Sequence, residues 1–424
     1  MKNIIVLLTF LLCCGGCFAQ RNFVKVAKGH FFINSTPYYY TGTNFWYGAI
    51  LGSTGKGGNR VRLIKELDHL HALGLNNLRV LVGADGRPSP SKVSPTLQVS
   101  PGVYNDTILA GLDYLLKEMD KRGMKAILYL NNSWEWTGGY SQYLAWAGAG
   151  KAPIPAIDGW PKYMEYVKAY ATNDSAQALF RNHVHFIVTR TNRYTHLKYV
   201  DDPTIMSWQI GNEPRAFSDE GKAPFRKWMR QVSALIKSLD RNHLVTSGSE
   251  GKHGCEEDMN LFEQVHADPN IDYLCAHIWP YNWQWIGKTT VEKNVKIAEE
   301  NTAKYIDEHL AVAKKLNKPL VIEEYGYPRD GFDFSKTSTT TARDEYYRYV
   351  YTLLIKSKRG NGNYAGCNFW GWGGDAQPIH KFWQEGDDYC GDPAQEEQGL
   401  NSVFSSDKTT LNVIKSFSKQ LKVK

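Results

Sequence analysis

The chain has 424 residues, 42% of them hydrophobic, and a formal net charge of only +7. That is apolar material for a large core, which excludes a disordered chain, and a weak positive charge with no dense Lys/Arg block gives nucleic acid no footing. The excess lies in 13 Trp and 25 Tyr, and indoles in that number suggest a site walled by flat rings.

Met1 to Ala19 reads as a secretory signal: Lys2 is the short basic part, Ile4–Leu12 the apolar part, and Cys17 and Ala19 are small residues before a cut at Gln20. The expected product is 20–424, exported to the medium, periplasm or cell surface, with Cys17 as a lipid-bearing alternative. Its net charge would be +6, and Cys255, Cys275, Cys367 and Cys390 would remain, too scattered for a disulfide scaffold but compatible with one or two bridges. No other apolar run is long enough to cross a membrane.

From there short apolar or β-branched runs alternate with longer amphipathic ones. Strands are expected at 38–46, 76–83, 125–132, 205–214, 244–251, 273–280, 320–328 and 366–374. Helices are expected at Val61–Leu73, Thr107–Arg122, Ala176–Tyr194, Gly221–Leu239, a short stretch near Glu256–Val265, Val291–Leu316 and Thr340–Lys358. Eight strands with crossovers describe an α/β fold, a single (β/α)8 TIM barrel whose long βα loops form an open cleft. A doubly wound sheet is the weaker reading, because no glycine-rich phosphate loop follows the first strand.

Chemistry in such a barrel sits at the C-terminal strand ends. In order these carry Asn44 and Trp46; Arg79; Asn131, Asn132, Trp134 and Trp136; Asn212 and Glu213; Glu250; His277 and Trp279; Glu323 and Glu324; and Trp370 and Trp372. Packing alone does not call for polar groups and indoles at every strand end. Glu213 and Glu324 fall on opposite sides of the mouth, the arrangement glycoside hydrolysis needs: one carboxyl protonated, the other ionised. Arg79 is the cation expected to hold one ionised, Asn212 a reader of sugar hydroxyls, and His277 an orienting group. Glu323 competes with Glu324, since neighbours on a strand point oppositely. Trp134 and Trp370 are the first candidates for sugar platforms. The 12 His form no His-x-x-x-His pair and "GSEG" is not a nucleophile elbow, so neither a metal, nor a cofactor, nor a serine triad is expected.

The motifs "GTNFWYG" (42–48), "NLRVLVG" (77–83), "NNSWEWTGGYSQYLAWAG" (131–148), "DDPTIMSWQIGNEPR" (201–215), "HIWPYNW" (277–283), "VIEEYGYPRD" (321–330) and "NFWGWGG" (368–374) occur in this order. Together they resemble the endo-β-1,4-mannanases of glycoside hydrolase family 5. The resemblance implies retaining cleavage of β-1,4-mannosidic bonds in mannan, glucomannan or galactomannan; a monomer is expected. It makes Glu213 the acid/base and Glu324, directly before Tyr-Gly, the nucleophile, with Arg79, Asn212, His277, Trp46, Trp134, Trp279 and Trp370 in support. One position departs: many relatives place a Tyr two residues after the histidine, where this chain has Trp279, so either Trp279 is a ring wall only or Tyr281 supplies the hydroxyl. A family 5 β-glucanase, an exo-acting mannosidase and a catalytically silent binding protein are the rival readings.

Overall fold

The computed structural model describes residues 22–89 and 91–422; the expected leader, Cys17 included, lies outside them. Eight parallel strands form the barrel: β1 Tyr40–Asn44, β2 Asn77–Leu81, β3 Lys125–Tyr129, β4 Ile205–Gln209, β5 Leu244–Thr246, β6 Leu274–Ile278, β7 Leu320–Tyr325 and β8 Tyr364–Phe369. Backbone ladders run in the order β5-β4-β3-β2-β1-β8-β7-β6. The β5/β6 seam is joined differently, by Asp272 N–H to the Val245 carbonyl at 2.8 Å, Val245 N–H to the Asp272 carboxylate at 2.6 Å and the Thr246 hydroxyl to the Tyr273 carbonyl at 3.0 Å. Every barrel strand is buried throughout, as strands covered by helices on one side and a filled interior on the other must be.

The surrounding helices are α1 Arg60–Leu73, α2 Asp106–Asp120, α3 Asp174–Val188, α4 Lys222–Leu239, α5 Met259–His266, α6 Val295–Leu316, α7 Thr341–Arg359 and α8 Lys408–Lys422. Their starts follow from local chemistry. The side chains of Asn59, Asn105, Asn173 and Asp258 accept backbone N–H groups at the heads of α1, α2, α3 and α5, satisfying donors the first turn leaves orphaned. The sequence reading stops short of α8, which packs on α7 through stacked Tyr351 and Phe417, 5.5 Å apart.

The bottom of the barrel is plugged by an antiparallel meander, Val24–Ala27, His30–Ile33 and Thr36–Pro37, also absent from the sequence reading. Its turns use Lys28-Gly29 and Asn34-Ser35, all four at positive φ, the geometry that matches strand twist in two-residue hairpins. Phe31 is thereby driven against Tyr273, edge to face at 5.3 Å, amid Tyr40, Met206 and Val321. The other end of the barrel stays open under three long connections, β2–α2, β3–α3 and β8–α8. All four described cysteines are buried and unpaired, so the disulfides allowed by the sequence do not form among them.

Candidate active site

Arg79, in the middle of β2, organises the mouth. It is fully buried, and its fork donates to Gln209 Oε1 at 2.8 Å, Asn44 Oδ1 at 3.0 Å and Asn212 Oδ1 at 2.7 Å, while Nη1 also reaches Glu324 Oε1. The guanidinium plane sits 4.4 Å from the Tyr129 ring. One rigid cation thus ties β2 to the ends of β1, β4 and β7, which a lysine point charge could not do.

Glu213 stands just beyond β4 in left-handed backbone, φ +49°, an expensive conformation for a residue with a Cβ. Its N–H is held by the Gly248 carbonyl at 2.9 Å and the preceding Asn212 N–H by the Asn131 carbonyl at 2.8 Å. Gly248 is itself at φ +83°, and a Cβ there would lie 1.7 Å from the Gly211 carbonyl oxygen. Only glycine lets the β4 and β5 ends approach closely enough to aim Glu213 inward.

His277 connects the two carboxylates: Nδ1 is 2.8 Å from Glu213 Oε1 and 3.3 Å from Glu324 Oε2. The β6/β7 ladder makes this reach available. Ala276 pairs with Ile322, yet His277 pairs with Glu324, so the register slips by one residue at Glu323 and re-aims the side chains. Glu323 then faces the barrel interior, held by Gln209 Nε2 and by the Tyr273 hydroxyl at 3.0 Å, and Glu324 alone takes the mouth position. One donor atom each from Glu213, His277 and Glu324 lie within 4.8 Å of one another. The three could hold a cation among the described residues, but it would face the Arg79 guanidinium.

Burial pushes both carboxyls up, Glu213 against the opposing pull of Arg215, Trp134 and Arg79, and Glu324 against Arg79, with Glu213 and Glu250 adding to the rise. Two carboxyls this close titrate as a pair, and one proton stays on it where an isolated glutamate would be ionised. Burial and Arg79 press His277 well below its ordinary value, so the imidazole is neutral.

The cleft over these groups holds about 570 Å³ and is lined by Trp134, Trp136, Trp279, Trp370, Asn212, Glu213 and Glu324. Trp134 Nε1–H donates to Glu213 Oε2. Trp370 stands between Trp136, at 6.3 Å, and Trp279, at 5.9 Å, and its own N–H has no partner among the described residues. Trp46 does not line the cleft. It is fully buried behind Trp136, with its N–H on the Gly391 carbonyl at 2.9 Å. Tyr281 lines the cleft with its ring 4.6 Å from Phe332, and among the described residues no hydroxyl reaches Glu324. Glu135 is buried and does not line the cleft; it borders a separate pocket beside Lys92.

Residues absent from the sequence-based site include Arg215, which pairs with Glu250 (Nε to Oε2, 2.9 Å) and lies 5.3 Å over the Trp134 ring. Arg215 closes the "NEPR" motif and Glu250 ends a strand, so both were visible without an assigned role. Trp160 and Glu396 also line the cleft; they come from long loops whose path the sequence does not reveal.

A model of the GH family 5 beta-mannosidase-like family matches residues 21–424. The chain belongs to glycoside hydrolase family 5. This family 5 hydrolase is 30% identical over 369 residues to mannan endo-1,4-beta-mannosidase 4 of Solanum lycopersicum, covering 83% of this chain and 84% of that one. It is 30% identical over 362 residues to mannan endo-1,4-beta-mannosidase 1 of Oryza sativa subsp. japonica, covering 82% and 78%. A family 5 mannosidase from Rhizomucor miehei, solved in complex with mannosyl-fructose, superposes with a TM-score of 0.87 at 32% identity over 95% of this chain and 97% of that one. The endo-beta-1,4-mannanase of Thermotoga petrophila shares the fold, with a TM-score of 0.67 at 21% identity over 92% and 78%.

Proposed function

We propose that this hydrolase cleaves β-1,4-mannosidic bonds within mannan chains with retention of configuration, through Glu324 as nucleophile and Glu213 as acid/base. The observation that carries the mechanism is the 4.8 Å limit on the Glu213, His277 and Glu324 donor atoms. That proximity suits a direct attack, for which carboxyls about 5–5.5 Å apart are typical, and leaves no room for the water an inverting pair holds across about 6.5–9.5 Å.

The roles follow from the surroundings. Glu324 touches the Arg79 guanidinium, so the charge of the pair rests on it, while Glu213 keeps the shared proton. In the first step Glu324 attacks the anomeric carbon and Glu213 gives its proton to the departing oxygen. In the second, Glu213 takes a proton from water, and the resulting hydroxide displaces Glu324 from the sugar. His277, donating from Nδ1, steadies the carboxylate form of either partner as charge moves between them. Mannan as substrate is supported by the 30% identical relatives named for it and by a cleft whose indoles suit the apolar faces of sugars.

An exo-acting mannosidase is the second reading. The Pro393–Asn401 segment brings Glu396 into the cleft, where burial and Asp392 push its carboxyl up to about 8. The structure that superposes with a TM-score of 0.87 is likewise named a mannosidase. The leader-like Met1–Ala19 supports export of either enzyme. Incubation with linear mannan, carboxymethyl-cellulose and xylan tests these readings. A ladder of manno-oligosaccharides, first released as the β-anomer, supports the endo reading. Mannose alone favours the exo one, and no mannan cleavage refutes both.

A further inference from the structure

Trp160 is the one tryptophan among the exposed large apolar side chains of the described residues, 48% accessible where most of the indoles are buried. It begins a short helix, Trp160–Val167, inserted between β3 and α3. Nothing about that insert is loose. Gly159, at φ +85°, turns the chain into the helix and Pro161 fixes its first turn. Asp158 accepts the Ile154 N–H at 2.9 Å and Lys162 Nζ at 2.7 Å. Tyr163, fully buried, donates to the Ser133 carbonyl at 2.6 Å, which clamps the helix to the residue before Trp134. The fold therefore spends rigid structure on presenting an indole to water.

The direction it faces can be derived. A general acid sits beside the oxygen it protonates, so the departing sugar begins at Glu213. Trp134 donates to Glu213, and Trp160 meets Trp134 edge to face, 5.7 Å apart and at 87°. The glycone side is defined instead by Glu324, Arg79 and Trp370. Stepping outward from the scissile oxygen on the acid side thus reaches Trp134 and then Trp160. Met164, four residues further along the same helix face, lines the cleft beside it.

We propose that Trp160 and Met164 form a platform for a sugar ring on the leaving-group side, beyond the ring that contacts Glu213. The apolar face of a pyranose stacks on the indole and the thioether packs against its edge. The inference rests on the assignment of Glu213 as the acid. It makes Trp160 a specificity-determining residue, binding substrates that continue past the scissile bond and contributing nothing to those that end there.

The test compares kcat/KM for mannopentaose with that for β-mannosyl fluoride, whose leaving group is too small to reach the insert. In Trp160→Ala the ratio of the two is expected to fall about tenfold, through KM for the oligosaccharide. Trp160→Phe should restore most of it, and Met164→Ala should show a smaller drop of the same kind. Labelling the reducing end of mannopentaose with ¹⁸O reads the register directly, and Trp160→Ala should shift cleavage toward the reducing end. Equal losses on both substrates, or an unchanged ratio and register, would overturn the platform while leaving the proposed function intact. A wild-type chain inactive on both would overturn that function and the platform with it.

Discussion

Replacing Arg79 by Met tests the electrostatic logic of the mouth. Methionine is of similar length and fills much of the same space, so the loss is chiefly of charge and donors. Three amide acceptors, on Gln209, Asn44 and Asn212, lose partners at 2.8, 3.0 and 2.7 Å, and Glu324 loses its ion pair with the guanidinium. Removing one member of a buried ion pair costs about 3–5 kcal/mol; the amides can re-pair among themselves, so their bonds add less than their sum. The catalytic consequence has a definite sign. Burial already raises the Glu324 carboxyl, and Arg79 is the main force against it. Without Arg79 the group rises further, the ionised form the proposed nucleophile needs becomes rarer at neutral pH, and the acid limb of kcat/KM is expected to move toward alkaline pH. At neutral pH the activity should fall by about 10²–10³, the loss typical of removing one preorganised donor. The assay is kcat/KM for β-mannosyl fluoride across pH, beside urea unfolding of both proteins. An acid limb that stays in place, with activity close to wild type, would refute the reasoning.

Glu213→Gln should depress turnover of mannopentaose by about 10²–10⁴ and that of β-mannosyl fluoride far less, since fluoride departs without an acid; equal losses would remove Glu213 from that role. Burial raises Asp85 to about 8 and Glu135 to about 7. Folded chains therefore hold protons that unfolded chains release above about pH 4, and stability falls as pH rises through that window by up to about 1.4 kcal/mol per unit for each group. Asp85→Asn should flatten its share of the slope in urea titrations between acid and mildly alkaline pH; an unchanged slope contradicts the assignment. Gly248→Ala, which places a Cβ against the Gly211 carbonyl, should cost roughly 3 kcal/mol or more and lower activity with it, and a melting temperature equal to wild type would show that the β4 and β5 ends tolerate separation.

What was legible in the sequence was whatever local pattern decides. Barrel strands buried on both faces read as apolar runs, and the polar residues that interrupt or close those runs mark the mouth, which is why Arg79, Asn212, Glu213 and His277 were found together. Glu323 and Glu324 were not separable by alternation, because the slip opposite His277 lies in the pairing of two strands and not in either one. Trp46 carries the same signal as Trp370 yet packs behind Trp136, since a strand-end indole can turn toward the cleft or toward the neighbouring loop. Trp160 lay in a connection without periodicity, and only its tertiary clamp through Tyr163 brings it to the cleft. The amino-terminal meander could have been found from its two-residue turns, Lys28-Gly29 and Asn34-Ser35.

The account stands on a covalent intermediate at Glu324. Incubating the purified chain with 2-deoxy-2-fluoro-β-mannosyl fluoride slows release of the intermediate relative to its formation, and peptide mass spectrometry locates the label. The account predicts one fluoromannosyl group on Glu324, absent from Glu324→Gln and lost when an acceptor sugar is added. A label on Glu323 or Glu213, or hydrolysis with inversion and no label at all, would contradict it.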